Sequence, residues 1–275
     1  MATQSINVNI NLNGLRGELQ RSLQKVICLV ATGLEAKSDI EPNEITLPAN
    51  IKSTFSGLAL NKQEFHAQYT EWVLSNGFRD AIESVGYFLE SAHRVLSIWE
   101  LIEKQNSGTR ITGDDWNRIF RDVGNKFHRL GLPDKLEYIS NYHGIDVKKS
   151  FKEQILTINV ARNCFVHRNG VVSDRDLNED NVLKIKWSRL HTFLQNEDGE
   201  QDLIPGILVE KESTVCVRFD ENEKVFSLNE SLSFTVDEMS EILWCLFLFG
   251  NELVTNISKY GEGKGFVQPS GSGSA

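Results

Sequence analysis

Between Gln63 and Lys104, apolar side chains recur every three or four residues: Phe65, Tyr69, Trp72, Val73, Ile82, Val85, Leu89, Ala92, Leu96 and Trp99. That spacing places them along one side of an α-helix, whereas a strand would send alternate residues to opposite faces. A helix of this length with an apolar stripe cannot stay in water by itself. It has to bury the stripe against other helices or a sheet. Asn76-Gly77 in its middle predicts a break or kink, and Asn106-Ser107-Gly108 predicts its end.

Other segments repeat the pattern. Residues 14–35 carry Leu15, Leu19, Leu23, Val26, Ile27 and Val30 at helical spacing. Thr112 to Asp115 reads as a helix cap ahead of Trp116, Ile119, Phe120, Val123 and Phe127. Gly131-Leu132-Pro133 opens a shorter helix that runs to about Ser140. Ser150-Phe151-Lys152-Glu153 has the S-x-x-E form of a capping box, and Gly170 suits the left-handed residue that closes the helix after it. Thr235-Val236-Asp237-Glu238 is a second such box, before the apolar run Met239, Ile242, Leu243, Leu246, Phe249, Leu253 and Ile257. Trp72, Trp99, Trp116 and Trp244 sit on these stripes and are expected in the core; Trp187 and Phe193 are harder to place.

Between Gly170 and Thr235 the period changes. Leu183 to Leu194, Gly206 to Phe219 and Lys224 to Phe234 alternate apolar and polar residues, with Asn196-Glu197-Asp198-Gly199 and Asp220-Glu221-Asn222-Glu223 as turns. This predicts a three-stranded antiparallel meander. The fold expected is therefore mainly α: a helical bundle with a small β-meander at 183–234 inserted before the last long helix. Residues 1–60 hold a helix and a Pro-, Asn- and Ser-rich connector, with an alternating stretch at 1–11 that reads as a strand or arm. Residues 61–260 form the main domain. Residues 261–275, glycine- and serine-rich, read as a flexible exit and linker.

Composition removes several classes of function. The net charge of −9 argues against non-specific coating of nucleic acid, which needs an excess of Lys and Arg, but leaves room for a local basic cleft. Cys28, Cys164, Cys216 and Cys245 stand apart, with no CxxC or zinc spacing, and the histidines show no paired-ligand spacing. No metal and no cofactor is expected. No leader or membrane-spanning run is visible, so a cytoplasmic protein with no membrane partner is expected.

The chemistry concentrates in Arg162-Asn163-Cys164-Phe165-Val166-His167, followed by Arg168-Asn169-Gly170. Asn163 and His167 are four residues apart and share a helix face; Arg162 is offset by roughly 140° at about 100° per residue. Arginine holds phosphate, and histidine moves protons near neutral pH. Together they can cut RNA without a metal: a base takes the ribose 2′-OH proton, the oxygen attacks phosphorus, and an acid protonates the leaving 5′-oxygen. A two-fold axis would bring two such sets into one cleft. Arg168, with Lys148, Lys149 and Lys152, could add a basic rim for RNA. Glu83 and Glu90 are candidates to orient Arg162 or His167, and solvated carboxylates otherwise. The plainer reading is that Arg162 pairs with a neighbouring carboxylate and His167 caps its own helix.

The run from Ala161 to Gly170 resembles the signature helix of the HEPN superfamily: an Arg followed by a polar residue, here Asn163, and a His after four intervening positions. The long aromatic-rich helix before it and the apolar helix after it are similar too, so the likeness covers about residues 60–260. The resemblance implies a metal-independent endoribonuclease, active as a homodimer, with Arg162, Asn163 and His167 catalytic and 2′,3′-cyclic phosphate and 5′-hydroxyl ends as products. It also implies a role in bacterial defence, toxin–antitoxin pairing or abortive infection, with an antitoxin or another defence-system protein as partner. The alternative it leaves is a non-catalytic, dimerising module that binds a protein or nucleotide. Residues 1–60 and the meander have no counterpart in the minimal bundle.

Overall fold

The computed structural model describes residues 10–40, 61–122, 126–203, 206, 208–209 and 211–267. Six α-helices occur among them: α1 (Leu12–Ala36), α2 (Lys62–Asn106), α3 (Gly113–Asp122), α4 (Leu132–Glu137), α5 (Lys149–Arg168) and α6 (Val236–Gly263). Strands β1 (Leu183–Asn196), β2 (Gly199–Asp202) and β3 (Thr214–Phe226) lie between α5 and α6. The chain is thus mostly helical, with a small antiparallel sheet ahead of its last helix. The strand or arm expected at 1–11 and the connector after Ile40 fall largely outside the described residues. Among the described residues, no helix is long and apolar enough to cross a membrane.

Helix starts follow local chemistry. Asn11 Oδ1 accepts the Gly14 N–H at 2.8 Å. The Thr235 box forms in both directions, Thr235 N–H to Glu238 Oε2 at 2.7 Å and Glu238 N–H to Thr235 Oγ1 at 3.1 Å. Thr112 and Asp115 make the same exchange at α3. These bonds satisfy amides that the first helical turn leaves unpaired. The box expected at Ser150 does not form. Helix α5 already begins at Lys149, and the Lys152 N–H bonds to Lys148 O at 3.0 Å, so Ser150 lies inside the first turn. Helix α4 runs on into a π-helical turn, Tyr138–Tyr142.

Helix α2 is unbroken, contrary to the kink expected at Asn76-Gly77. Asn76 Nδ2 donates back to Trp72 O at 2.6 Å, so its polar group is satisfied within the helix. Gly77 serves a close approach instead: a Cβ there would lie 2.5 Å from Val30 Cγ2 and 3.2 Å from Met239 Cε. Of the flexible exit expected over 261–275, the described residues 261–267 are instead packed. Helix α6 continues to Gly263 and Gly261 packs under the Trp99 ring, on which Phe266 stacks with centroids 5.5 Å apart.

The sheet order is β2-β1-β3, not the sequential order of a meander. The expected turn at 220–223 lies within β3, and 227–234 forms no strand of the sheet. Charge pairing across the ladder explains this. Asp220 meets His191 at 2.9 Å, Glu221 meets Lys186 at 3.6 Å and Glu223 meets Lys184 at 3.9 Å. An acidic run that reads as a turn becomes a strand when a basic strand lies opposite.

Two units divide the chain. One comprises Met1–Leu23, Ile82–Leu156 and Leu246–Ala275; the other comprises Gln24–Ala81 and Thr157–Cys245. The first is helical, and Phe88 meets Phe249 edge-on at 6.5 Å within it. The second holds the sheet and a phenylalanine cluster: Phe78 with Phe165 at 5.5 Å, and Phe234 with Phe78 at 4.7 Å and Phe226 at 5.8 Å. Trp187 is fully buried there and donates Nε1–H to Glu241 Oε2 at 2.8 Å, which satisfies its polar atom. Trp99 is core as expected, but Trp72 is 63% exposed and Trp244 39%. On α2 the buried seam at that level is taken by Val73 and Leu74, and Trp72 lies beside it.

Alanine exceeds glycine in helix propensity by about 1 kcal/mol. Gly77→Ala is nevertheless expected to lower stability by about 1–3 kcal/mol, through overpacking against Val30, read as a lower denaturant midpoint. At Glu238, burial pulls the carboxyl pKa up, but hydrogen bonds from Lys224 and from Thr235 outweigh it and hold the group below its usual 4.5. A depressed folded pKa stabilises above the unfolded value and is lost as pH falls through the folded one. Glu238→Gln should therefore flatten the loss of stability below pH 4.5 in acid-unfolding curves.

Candidate active site

Helix α5 buries an apolar stripe flanked by the buried polar side chains Gln154 and Asn159. Ile155, Ile158, Ala161 and Cys164 are each fully buried, at spacings of three residues. The stripe sets where the polar residues of the last two turns fall. Arg162 and Asn163 are half-buried at its margin, and His167 is exposed. Arg162 Nη1–H donates to Asn163 Oδ1 at 3.0 Å. This bond draws the guanidinium round the helix toward the face that Asn163 shares with His167. The Nη1 end of Arg162 thus reaches Asn163, which shares a helix face with His167. The His167 imidazole takes no hydrogen bond from the described residues and lies in the last turn of the helix.

The helix stops abruptly behind it. Asn169 and Gly170 both adopt left-handed backbone, φ 53° and 74°. The Gly170 N–H returns to Cys164 O at 3.1 Å, and the Val171 N–H to Arg168 O at 3.0 Å. A Cβ on Gly170 would stand 3.2 Å from the Phe165 ring. The closing role expected of Gly170 is seen, with Asn169 joining it. Beyond the turn the chain is tied down: Leu232 N–H bonds to Gly170 O at 2.7 Å and Val172 N–H to Glu230 O at 2.9 Å.

Arg168, expected on an RNA-binding rim, is held elsewhere. Its Nη2 donates to Asp176 Oδ1, and the Asp176 side chain is 1% exposed. The other Asp176 oxygen accepts the Ser173 N–H and Oγ–H, each at 2.9 Å. A buried carboxylate thus fastens the last residue of α5 to the loop that follows. Asp176 was not singled out by sequence reasoning, although Ser173-x-x-Asp176 has the spacing of a capping box, which forms here around a short 3-10 turn. Lys148, another candidate for the rim, pairs with Glu252 at 3.0 Å. Glu90 binds Lys135 at 2.6 Å and His128 at 3.0 Å, so its carboxylate is committed to neither Arg162 nor His167.

The two buried cysteines, Cys164 and Cys245, offer no nucleophile here. All four cysteines are free. Burial, then the Asp176 carboxylate, pushes the Cys164 thiol up, and burial pushes Cys245 to about 11. Neither is a thiolate at neutral pH. Among the described residues, no group of three His, Cys, Asp or Glu side chains could hold a metal ion. A second polar cluster, invisible in sequence because its members are far apart in the chain, lies in the helical unit: Glu100 Oε1 with His143 Nδ1 at 2.7 Å, and His143 Nε2 with His93 Nδ1 at 2.7 Å. Both imidazoles are buried.

No family model, curated protein or solved structure matches the chain.

Asp176→Ala would leave the Arg168 guanidinium without its buried partner. The expected cost is about 3 kcal/mol, read from urea unfolding, and Asp176→Asn should cost less because it keeps an acceptor for Ser173.

Proposed function

We propose that this protein is a HEPN-type, metal-independent endoribonuclease, with Arg162, Asn163 and His167 at its active site and two copies of α5 meeting in one composite cleft. The observation that carries the reading is the Arg162–Asn163 hydrogen bond. It turns a phosphate-binding group toward the face of an exposed histidine at the mouth of a helix. Arg162 holds the scissile phosphate and balances charge on its non-bridging oxygens. One His167 takes the proton from the 2′-hydroxyl, and its symmetry mate protonates the departing 5′-oxygen. The products are a 2′,3′-cyclic phosphate and a 5′-hydroxyl. Such a protein acts on RNA in the cytoplasm in bacterial defence or as a toxin restrained by a partner. Arg168 contributes by holding the helix end through Asp176.

A second reading is a non-catalytic HEPN-type module that binds a protein or nucleotide. The net charge of −9 favours it, since an RNA polyanion gains little from an acidic body.

Purified protein is expected to cleave RNA in EDTA, leaving cyclic-phosphate ends. His167→Ala should slow cleavage by roughly 10²–10⁴ and Arg162→Ala by roughly 10²–10³, with circular dichroism unchanged. Cleavage that vanishes with the chelator and returns with a divalent ion rejects the mechanism. Intact cellular activity in both variants selects the binding module.

A further inference from the structure

Strand β3 ends the sheet. The direction of its backbone groups follows from its neighbours. The Leu203 N–H bonds to Thr192 O at 3.1 Å, so Thr192 presents its backbone groups to the β2 side of β1. The Lys186 N–H points the same way and bonds to Thr157 Oγ1 at 3.0 Å, which covers β1 beyond the short β2. Thr192 pairs with Val217 and Lys186 with Glu223. In an antiparallel ladder, partners whose backbone groups face away from each other alternate with those that face together. Val215, Val217, Phe219 and the odd-numbered residues after them therefore aim N–H and C=O at the outer edge of β3. Among the described residues, no backbone hydrogen bond from another element reaches that edge.

The side chains there are apolar as well as open. Val215 is 59% exposed, Val217 56% and Phe219 57%, all on one face. A long apolar edge strand invites another strand, and stable proteins cover or charge such edges. Charge is present on this face only further along, at Glu221 and Glu223. Nothing charged guards the apolar end on this face; Arg218, on the opposite face, is paired with Glu200 and Asp220.

We propose that this edge is covered by the same edge of a second copy, β3 against β3, antiparallel and centred on Val217. The register follows from side-chain chemistry. With Val217 on the two-fold axis, Phe219 of each copy lies opposite Val215 of the other, and Arg218 opposite Cys216. Apolar meets apolar and no like charges oppose. Centring on Phe219 would set Val217 against Glu221 and Val215 against Glu223. Centring on Arg218, Asp220 or Glu221 would put like charges on the axis, which is unfavourable for directly opposed residues. Centring on Cys216 would carry Phe219 past the strand to Ser213. The inference is independent of the ribonuclease reading and uses none of its residues.

The test is Val217→Pro in the full chain. Its N–H faces outward, so proline leaves the β1–β3 ladder intact and removes a donor only from the edge. Light scattering should give a wild-type mass twice that of the variant, with unchanged circular dichroism. Val217→Lys, which keeps the N–H but sets like charges on the axis, should halve the mass too and serves if the proline variant fails to fold. In a Cys28→Ser, Cys216→Ser background, Val217→Cys should form a disulfide-linked dimer under oxidised glutathione. Val225→Cys, on the order of 50 Å from its counterpart at about 3.3 Å per residue, should not. A mass that neither Val217→Pro nor Val217→Lys changes, or the absence of the 217 cross-link, overturns the proposal.

Discussion

The stripe of Ile155, Ile158, Ala161 and Cys164 decides which way α5 faces, and the polar chemistry of the second unit follows from it. Burying these four side chains is favourable roughly in proportion to the apolar area removed from water. Once they face inward, helical geometry leaves no choice for the rest. Arg162 and Asn163 come to the margin and His167 to the surface. Two of the four, Ala161 and Cys164, are small. The Arg162 guanidinium lies at the margin and reaches Asn163.

A second constraint acts at the end of that helix. The left-handed pair Asn169-Gly170 ends α5, and the Arg168–Asp176 ion pair locks the return. Both ions are largely removed from water, so neither tolerates loss of the other. This restraint matters for a site on a helix terminus, because terminal turns otherwise fray. A histidine that must meet a phosphate needs its backbone held to well under an ångström. Arg168 is committed to the Asp176 pair that anchors the loop after α5, and in the proposed nuclease that anchor would hold the turn that carries His167.

The sheet shows how context overrides local signal. Asp220-Glu221-Asn222-Glu223 has the composition of a turn, yet it continues β3, with its carboxylates paired diagonally across the ladder to His191, Lys186 and Lys184. The same pairing leaves the odd-numbered face of β3 free of charge at Val215, Val217 and Phe219, and that is the surface argued to meet a second copy. A helix-to-helix dimer about α5 and a strand-to-strand contact about β3 would be separate isologous contacts, each with its own two-fold axis.

Periodicity in the chain by itself determined the helices, the caps at Thr112 and Thr235, the closure at Gly170 and the presence of an antiparallel sheet before the last helix. These are local decisions: spacing of apolar residues, side-chain oxygens within reach of unpaired amides, and glycine where φ must be positive. The face shared by Asn163 and His167 was legible for the same reason. What only the tertiary structure decided needed a neighbour distant in sequence. Gly77 reads as a break until Val30 and Met239 are seen against it. Trp72 reads as core until Val73 and Leu74 have filled the seam. Arg168 reads as a phosphate ligand until Asp176 claims it. In each case the residue's own chemistry allows both outcomes, and the space and charge left by partners elsewhere in the chain select one.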